Sequence, residues 1–591
     1  MSGLPAAAAG HGTPPIQRPP QIPRTPRTLR ARRTLRTRRA GGHRVPRVVA
    51  GTGLLVAGVL VLPLVFLISE AAQVGRAQVI RLMLRQLTAT LLLNTIELTV
   101  MVTAACAVIG VACAWVVERT NLPGRRVWAT LVVLPVAMPD FVVGYAWTSA
   151  APAIRGLAGA VLVMTLSVYP LVYLPVAASL RTADSTLEEV ARCLGHGRVK
   201  VFLRVTLPQI RTALFGGCLV VALALLAEYG AFEIVGFQTF TTEIVTEFRV
   251  AFDSAAACAL SLVLVALGIT VLAGDALMTA AKRTGRRGAH GTRPPRRYRL
   301  GVATLPVVGG FAVLAGAAVA VPVTIIVYWM IQGQRSSLPS ASIAAAAAGT
   351  VAYSLPAAAV ATVAALPVAL LAVRYRSRGA VLLERATYLV QGLPGPVIAL
   401  SFVFFAVHYA IGIYQSPELL VAGYAVLFFP LALIAVRAAL THAPPQLEEV
   451  ARSLGRRPAA AALRVTVPLI APGLAAAFSL VFLSAVTELT TTLILIPTGA
   501  HTLATAFWAQ QSNTSYAAAA PYAGLLVLIA VVPGYALGRY LDRAPVTGAG
   551  RAASPGGPPP VPPALGWSPP GQQRTGQAGP PTATPVRIGA Q

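Results

Sequence analysis

Twelve apolar stretches divide this chain, each long enough for the roughly 20 residues that a helix needs to cross a bilayer. They lie near residues 48–69, 88–117, 127–149, 156–180, 210–235 and 255–280, then near 301–331, 346–373, 386–411, 417–440, 472–497 and 517–540. In hydrocarbon every backbone N–H and C=O must find its partner within the protein, so such segments are helices. Composition agrees. The chain is 56% hydrophobic and 11% charged, with mean hydropathy +0.69, whereas soluble proteins carry about 25% charged residues. The fold class is all-α integral membrane. Pro135, Pro139, Pro394 and Pro396 predict a kink or break in the third helix of each set of six, because proline cannot donate to the helical ladder.

The six-plus-six arrangement reflects a duplication. Leu187–Pro208 reads LEEVARCLGHGRVKVFLRVTLP, and Leu447–Pro468, 260 residues later, reads LEEVARSLGRRPAAAALRVTVP. The two align without a gap and agree at 13 of 22 positions, where composition alone gives roughly one or two. In the first copy Leu187, Val190, Ala191 and Leu194 fall at helical spacing, an apolar stripe opposite Glu188, Glu189 and Arg192. Gly195 and Gly455 stand where a glycine stop ends a helix. A second short helix is expected next, with Pro208 or Pro468 where the chain returns to the membrane. A short amphipathic helix, a sharp break and another short helix suit docking on a soluble partner, whereas a plain connector has no need of the same Glu, Gly and Pro twice.

Net charge is +29, carried by 46 Arg and only Lys200 and Lys282. Neither lysine precedes Ser or Thr, so a P-loop is excluded and with it an ATP site of that kind. Arginines concentrate in the N-terminal tail, the Arg119–Arg126 loop, both repeats, the Lys282–Arg299 link and the loop holding Arg374, Arg376, Arg378 and Arg385. The positive-inside rule places these segments and both termini in the cytoplasm. The expected organisation is a basic disordered tail (1–47) that touches membrane lipid rather than nucleic acid, a first domain (48–281), a basic linker (282–300), a second domain (301–543) and a Pro/Gly-rich disordered tail (544–591). Cys106, Cys113, Cys193, Cys218 and Cys258 form no CxxC pair and read as apolar fillers. The seven histidines are scattered, so neither a metal site nor catalytic residues are expected.

The repeated pattern E-x-A-x-x-x-G, followed nine residues later by V-x-x-P, resembles the EAA loop of ABC-importer permeases of type I. The matching residues are Glu189, Ala191, Gly195, Val205 and Pro208, then Glu449, Ala451, Gly455, Val465 and Pro468, with Glu188 and Glu448 beside them. Val190 and Val450 replace the family's middle alanine. The resemblance implies two tandem homologous six-helix type I permease domains. It also implies one coupling loop for each of two cytosolic ATPase subunits, which would use ATP and Mg while this chain binds no cofactor. Cargo would come from an extracytoplasmic substrate-binding protein, and the chain itself would not be an enzyme.

A fused pair of such domains resembles ferric-iron transport permeases most. The similar stretches are LPVAMPDFVVGYAW (134–147), GFQTFTTEI (236–244) and TELTTTLILIPTGAHTLATAFW (487–508). Thr487, Thr490 and Ile496 depart from that family's usual Lys, Pro and Arg. Thiamine, a polyamine or a phosphonate are the alternative cargoes. Acids within spans are costly and functional by default. Glu228 and Glu488 share the 260-residue offset, and with Glu97, Asp140 and Tyr145 they are candidates for the translocation path. Hydrogen bonding to broken helix ends is the structural alternative for the Glu228–Glu488 pair. A gradient-driven secondary transporter would show midplane ion sites and often inverted repeats, whereas both halves here begin on the same side.

Overall fold

The computed structural model describes residues 47–73, 80–81, 83–183, 185–280, 297–333, 340–375, 390, 393–441 and 443–543. Both expected tails, apart from Arg47, and the expected linker, apart from residues 297–300, lie outside them. Contacts divide the chain into one unit ending at Leu537, which holds both repeats, and a second from Gly538 to Gln591.

In the first half the helices are α1 (Arg47–Gln73), α2 (Gln86–Arg119), α3 (Arg125–Val133), α4 (Asp140–Ala150), α5 (Gly156–Val168) and α6 (Pro170–Thr182). Then come α7 (Ser185–Cys193), α8 (Arg198–Val201), α9 (Leu207–Ala227), α10 (Gly230–Val235), α11 (Phe240–Arg249) and α12 (Ser254–Ala280). The second half opens with α13 (Thr304–Ala315), α14 (Val321–Gly333), α15 (Ser340–Arg374), α16 (Gly395–Tyr409), α17 (Pro417–Leu427) and α18 (Phe429–Thr441). It closes with α19 (Pro445–Ser453), α20 (Pro458–Ala461), α21 (Val467–Val486), α22 (Thr490–Leu495), α23 (Leu503–Ser512) and α24 (Tyr516–Arg543). Among the described residues no strand forms; a single parallel bridge joins Thr120 and Tyr298.

Among the described residues eight helices are long and apolar enough to cross a membrane, and ten if each bent pair counts as one span. The other two expected stretches hold shorter apolar helices, α16 and the Tyr516–Val531 part of α24. The proline breaks fall where the sequence places them. The α3 and α4 pair meets at 96° with Pro139 capping α4 in extended geometry, and α16 starts after Pro394. The fifth stretch differs from expectation. Its helix α9 stops at Ala227, Glu228 is extended, and the chain resumes as α10.

Three π-turns, Phe202–Thr206, Gly316–Ala320 and Ala462–Thr466, each end two residues before a proline: Pro208, Pro322 and Pro468. The cause is shared. A proline nitrogen cannot donate to the carbonyl four residues back and its ring crowds that carbonyl, so the helix widens locally to bonds five residues apart. Leu207 N–H accordingly reaches Phe202 O, and Val467 N–H reaches Ala462 O.

The halves exchange their first helices. α1 packs on α12 of its own half and on α15 and α16 of the other, placing Leu60 and Leu67 in a core with Ala357, Ala361 and Val397. Ser401 Oγ on α16 donates to Pro63 O on α1 at 2.8 Å. Reciprocally, α13 and α14 pack on α3 and α4. A further core joins Phe141, Tyr145 and Ala146 of α4 to Ile326, Leu489 and Phe507 of the second half. Small residues permit the close approaches within each half. A Cβ on Gly110 of α2 would lie 2.9 Å from Val172 Cβ on α6, and one on Gly217 of α9 would lie 2.9 Å from Val172 Cα.

Candidate functional site

Each repeat folds as one short helix ended by a glycine. Gly195 and Gly455 take φ +79° and +84°, the left-handed region open to glycine without a Cβ penalty. Gly195 N–H bonds to Arg192 O at 2.8 Å and His196 N–H to Ala191 O at 3.1 Å; Gly455 and Arg456 repeat this with Arg452 and Ala451 at 3.0 and 3.2 Å. This paired C-terminal cap satisfies carbonyls that the helix end would otherwise leave open. The second short helix expected from sequence is not separate. From Val199 the chain runs through the π-turn into the fifth span as one helical rod ending at Ala227.

The two glutamates of each repeat do different work. Glu188 turns inward, accepts from Thr206 Oγ1 at 3.0 Å and pairs with Arg119 Nη2 at 3.1 Å. Arg119 ends α2 and is 1% exposed. In the second half Glu448 accepts from Thr466 Oγ1 at 3.0 Å and pairs with Arg374, the last residue of α15. Each first glutamate therefore ties the repeat to the end of its half's second helix and to the π-turn. Glu189 and Glu449 are exposed.

The apolar stripe read from the sequence splits in two. Ala191 is buried and Ala451 half-buried. Leu187, Val190, Leu194, Val199 and Leu203 instead face outward, as do Leu447, Val450, Leu454 and Leu463. Leu194 and Leu454 are 72% and 78% exposed. The opposition expected between apolar stripe and acids is thus corrected: Glu188 lies on the inner face because ion pairing compensates its burial. Val205 and Val465 are half-buried and Pro208 and Pro468 exposed, the prolines acting through the π-turns. The partners Arg119, Arg374, Thr206 and Thr466 were not singled out from sequence. Thr206 and Thr466 are identical within the repeat, whereas Arg119 and Arg374 are related by a shorter offset of 255 residues.

The intramembrane acids occupy breaks. Glu228 Oε1 accepts from Ala231 N–H at 2.7 Å and Glu488 Oε1 from Thr491 N–H at 2.9 Å, so each caps the short helix that follows its break. The breaks face one another across the halves, since a Cβ on Gly230 would lie 2.7 Å from Leu489 Cδ2 and 2.9 Å from Phe141 Cβ. Asp140, in the first turn of α4, and Glu488 are both within electrostatic reach of Glu228, and all three side chains belong to half-buried residues. The second half has Gly395 where the first has Asp140, and a Cβ there would lie 3.4 Å from Glu488 Oε1. Among the described residues no group of three or more His, Cys, Asp or Glu side chains is assembled for a metal ion. Two candidates fall elsewhere. Glu97 is exposed on α2 with Met101 and Val108. Tyr145 is fully buried, its hydroxyl donating to Tyr516 O at 2.6 Å and its ring edge-on to Phe507, so it packs the interface of the halves rather than lining an open path.

Known transport permeases resemble this chain. The family described as binding-protein-dependent transport system inner membrane component matches residues 106–283 and 360–545. The chain is 37% identical over 487 residues to the Fe(3+)-transport system permease protein FbpB 2 of Haemophilus influenzae, covering 81% of this chain and 96% of that one. It is 30% identical over 205 residues to the sulfate transport system permease protein CysW of Escherichia coli (31% and 69%). With CysT of Salmonella typhimurium, from the same kind of system, it shares 27% over 259 residues (40% and 92%). The doubled family match, the doubled repeat and the paired helical halves agree, and the chain belongs to the binding-protein-dependent ABC transport permeases as a multi-pass membrane protein carrying two copies of the family's domain.

Proposed function

We propose that this permease imports ferric iron, with two cytosolic ATPase subunits docked on the segments Ser185–Val201 and Pro445–Ala461 and a binding protein delivering cargo from outside. The observation that carries the cargo is the 37% identity to a Fe(3+)-system permease across 96% of that protein's length. The sulfate-system relatives match only about a third of this chain. On this reading both termini and both segments are cytoplasmic, the domains meet near 282–300, and ATP and Mg act in the ATPase subunits.

The docking role rests on geometry. Each segment is anchored inward by one buried glutamate and presents leucines, a valine and an exposed second glutamate outward. A helix that is fixed on one face and apolar on the other suits a groove on a partner. When ATP draws the partners together, the anchors pass the motion to α2 and α15 and, through the π-turns, to α9 and α21. These helices end at the breaks that hold Glu228 and Glu488, so the segments and the acids lie at opposite ends of the same rods. The acids bring carboxyl oxygens between the halves, where an arriving cation would find ligands and favour their ionised form.

The test is uptake of labelled ferric iron, with labelled thiamine as competitor cargo, by the complete transporter and by Glu228→Gln with Glu488→Gln. A glutamine oxygen still accepts from Ala231 and Thr491, so the helix caps survive while the charge is lost. Iron uptake that falls several-fold with the complex intact supports the path. Thiamine uptake without iron uptake overturns the cargo.

A further inference from the structure

The last residues before the second half do not hang free at the end of the bundle. Tyr298 N–H donates to Arg119 O at 2.8 Å, Asn121 N–H to Tyr298 O at 3.0 Å, and Leu300 N–H to Asn121 Oδ1 at 2.9 Å. This is the bridge between Thr120 and Tyr298, and it lays the chain across the end of α2. The Tyr298 ring then lies between two partners. Its centroid is 5.7 Å from that of Trp115 on α2, and the Arg192 guanidinium of α7 sits over its face at 4.3 Å. The Tyr298 hydroxyl also accepts from Arg192 Nη2. Trp115 continues the stack to Phe202 of the first π-turn, edge-on at 6.2 Å.

Among the described residues the second half does not repeat this. By the offsets that relate the halves, Trp115 corresponds to Leu370 and Phe202 to Ala462. Arg452, the counterpart of Arg192, is exposed and among the described residues has no ion pair or ring contact.

We propose that Arg297–Leu300 is a one-sided brace, with Tyr298 a positioning residue that holds the first docking segment through Arg192, while the second, among the described residues, is held by its glutamate anchor. The brace ties three elements that must move together if the segment is to drive the fifth span: α2 through Trp115 and the backbone bridge, α7 through Arg192, and the π-turn through Phe202. Joining the halves in one polypeptide thereby makes the two docking segments mechanically unequal. The first responds as part of a rigid body and the second retains freedom about its glycine. The mechanical claim is independent of the docking role; its effect on transport rests on that proposed role.

Hydrogen exchange on the complete permease in lipid nanodiscs, without ATPase, tests the brace. Amides of residues 187–201 should exchange more slowly than those of 447–461. Tyr298→Ala should speed the first set roughly three- to thirty-fold, the range that one cation–π contact spans, and leave the second unchanged. Tyr298→Phe keeps the ring and should keep most of the protection; with Arg192→Gln it carries the comparison should the alanine variant not insert. Equal exchange in the two segments, or equal acceleration of both, overturns the proposal. In the assembled transporter Tyr298→Ala should raise the ATP hydrolysed per cargo imported, and an unchanged ratio overturns the positioning role even where exchange confirms the brace. Failure of the docking reading shows separately, as no crosslink to the ATPase from either Leu194→Cys or Leu454→Cys.

Discussion

The two proposed docking segments share their plan and differ in their surroundings. Both carry an inward glutamate, a left-handed glycine and a π-turn set by a following proline. Yet the Glu188 side chain is 5% exposed against a partner at 1%, whereas Glu448 and Arg374 are 18% and 17% exposed. The first segment adds Arg192, 3.8 Å from Glu188 and held by Tyr298. Near its root, Glu118 pairs with Arg181 and Arg125. Duplication thus preserved the anchor and left its environment free to diverge. What both copies keep is the tie between segment and rod, and what only the first has, among the described residues, is the Tyr298 contact.

The largest test of that difference removes the anchors. Glu188→Ala strands a buried arginine, and breaking one side of a buried ion pair costs about 3–5 kcal/mol. Glu448→Ala leaves Arg374 partly open to water, so a cost nearer 1–2 kcal/mol is expected after solvent screening. Thermal unfolding of the purified permease, followed by monodispersity after heating, should show the first variant failing at clearly lower temperature. Similar losses would mean that burial does not separate the segments.

Replacing the glycines sharpens the comparison from the other side. Gly195→Val and Gly455→Val put a β-branched residue at φ near +80°, a strain of order 1–3 kcal/mol. A Cβ at either position meets nothing within 4 Å, so backbone conformation alone sets the cost and the two losses should match. Coupled uptake should fall by a similar factor in each, with the spans intact. A larger fall in the first would show that bracing amplifies local strain.

The sequence made the shared part legible and much of the difference illegible. Gly195, Gly455 and the glutamates stood out because a strict repeat isolates positions whose backbone or charge is required twice. The proline breaks at Pro139 and Pro394 followed from one missing donor. Which glutamate turns inward was not legible, because helical periodicity puts Glu188 among the polar residues until Arg119, 69 positions earlier in the chain, pairs with it. The exchanged first helices and the buried Tyr145 depend on how the halves meet, and an apolar run carries no mark of which half will cover it. Glu228 and Glu488 were found by offset, and hydrogen bonding to broken helix ends was already their structural alternative; what continuous hydrophobicity concealed was the place of the break, after Ala227. Tyr298 fell in a basic stretch expected to be only a linker.

The smallest effect separates burial from partner number. Thr206→Val and Thr466→Val are nearly isosteric, so each removes one hydrogen bond to an ion-paired glutamate, about 1.5 kcal/mol, the low end for a bond to a charged group, with packing kept. Glu188 then retains Arg119 and Arg192, while Glu448, among the described residues, retains Arg374. If partner number sets anchor strength, Thr466→Val costs more despite its wetter site, and exchange at residues 447–461 rises more than exchange at 187–201 does in Thr206→Val. If burial governs, the order reverses, because a buried carboxylate loses more when a donor goes. We expect the first order: two guanidinium groups already neutralise Glu188, and a hydroxyl adds little to a charge so compensated.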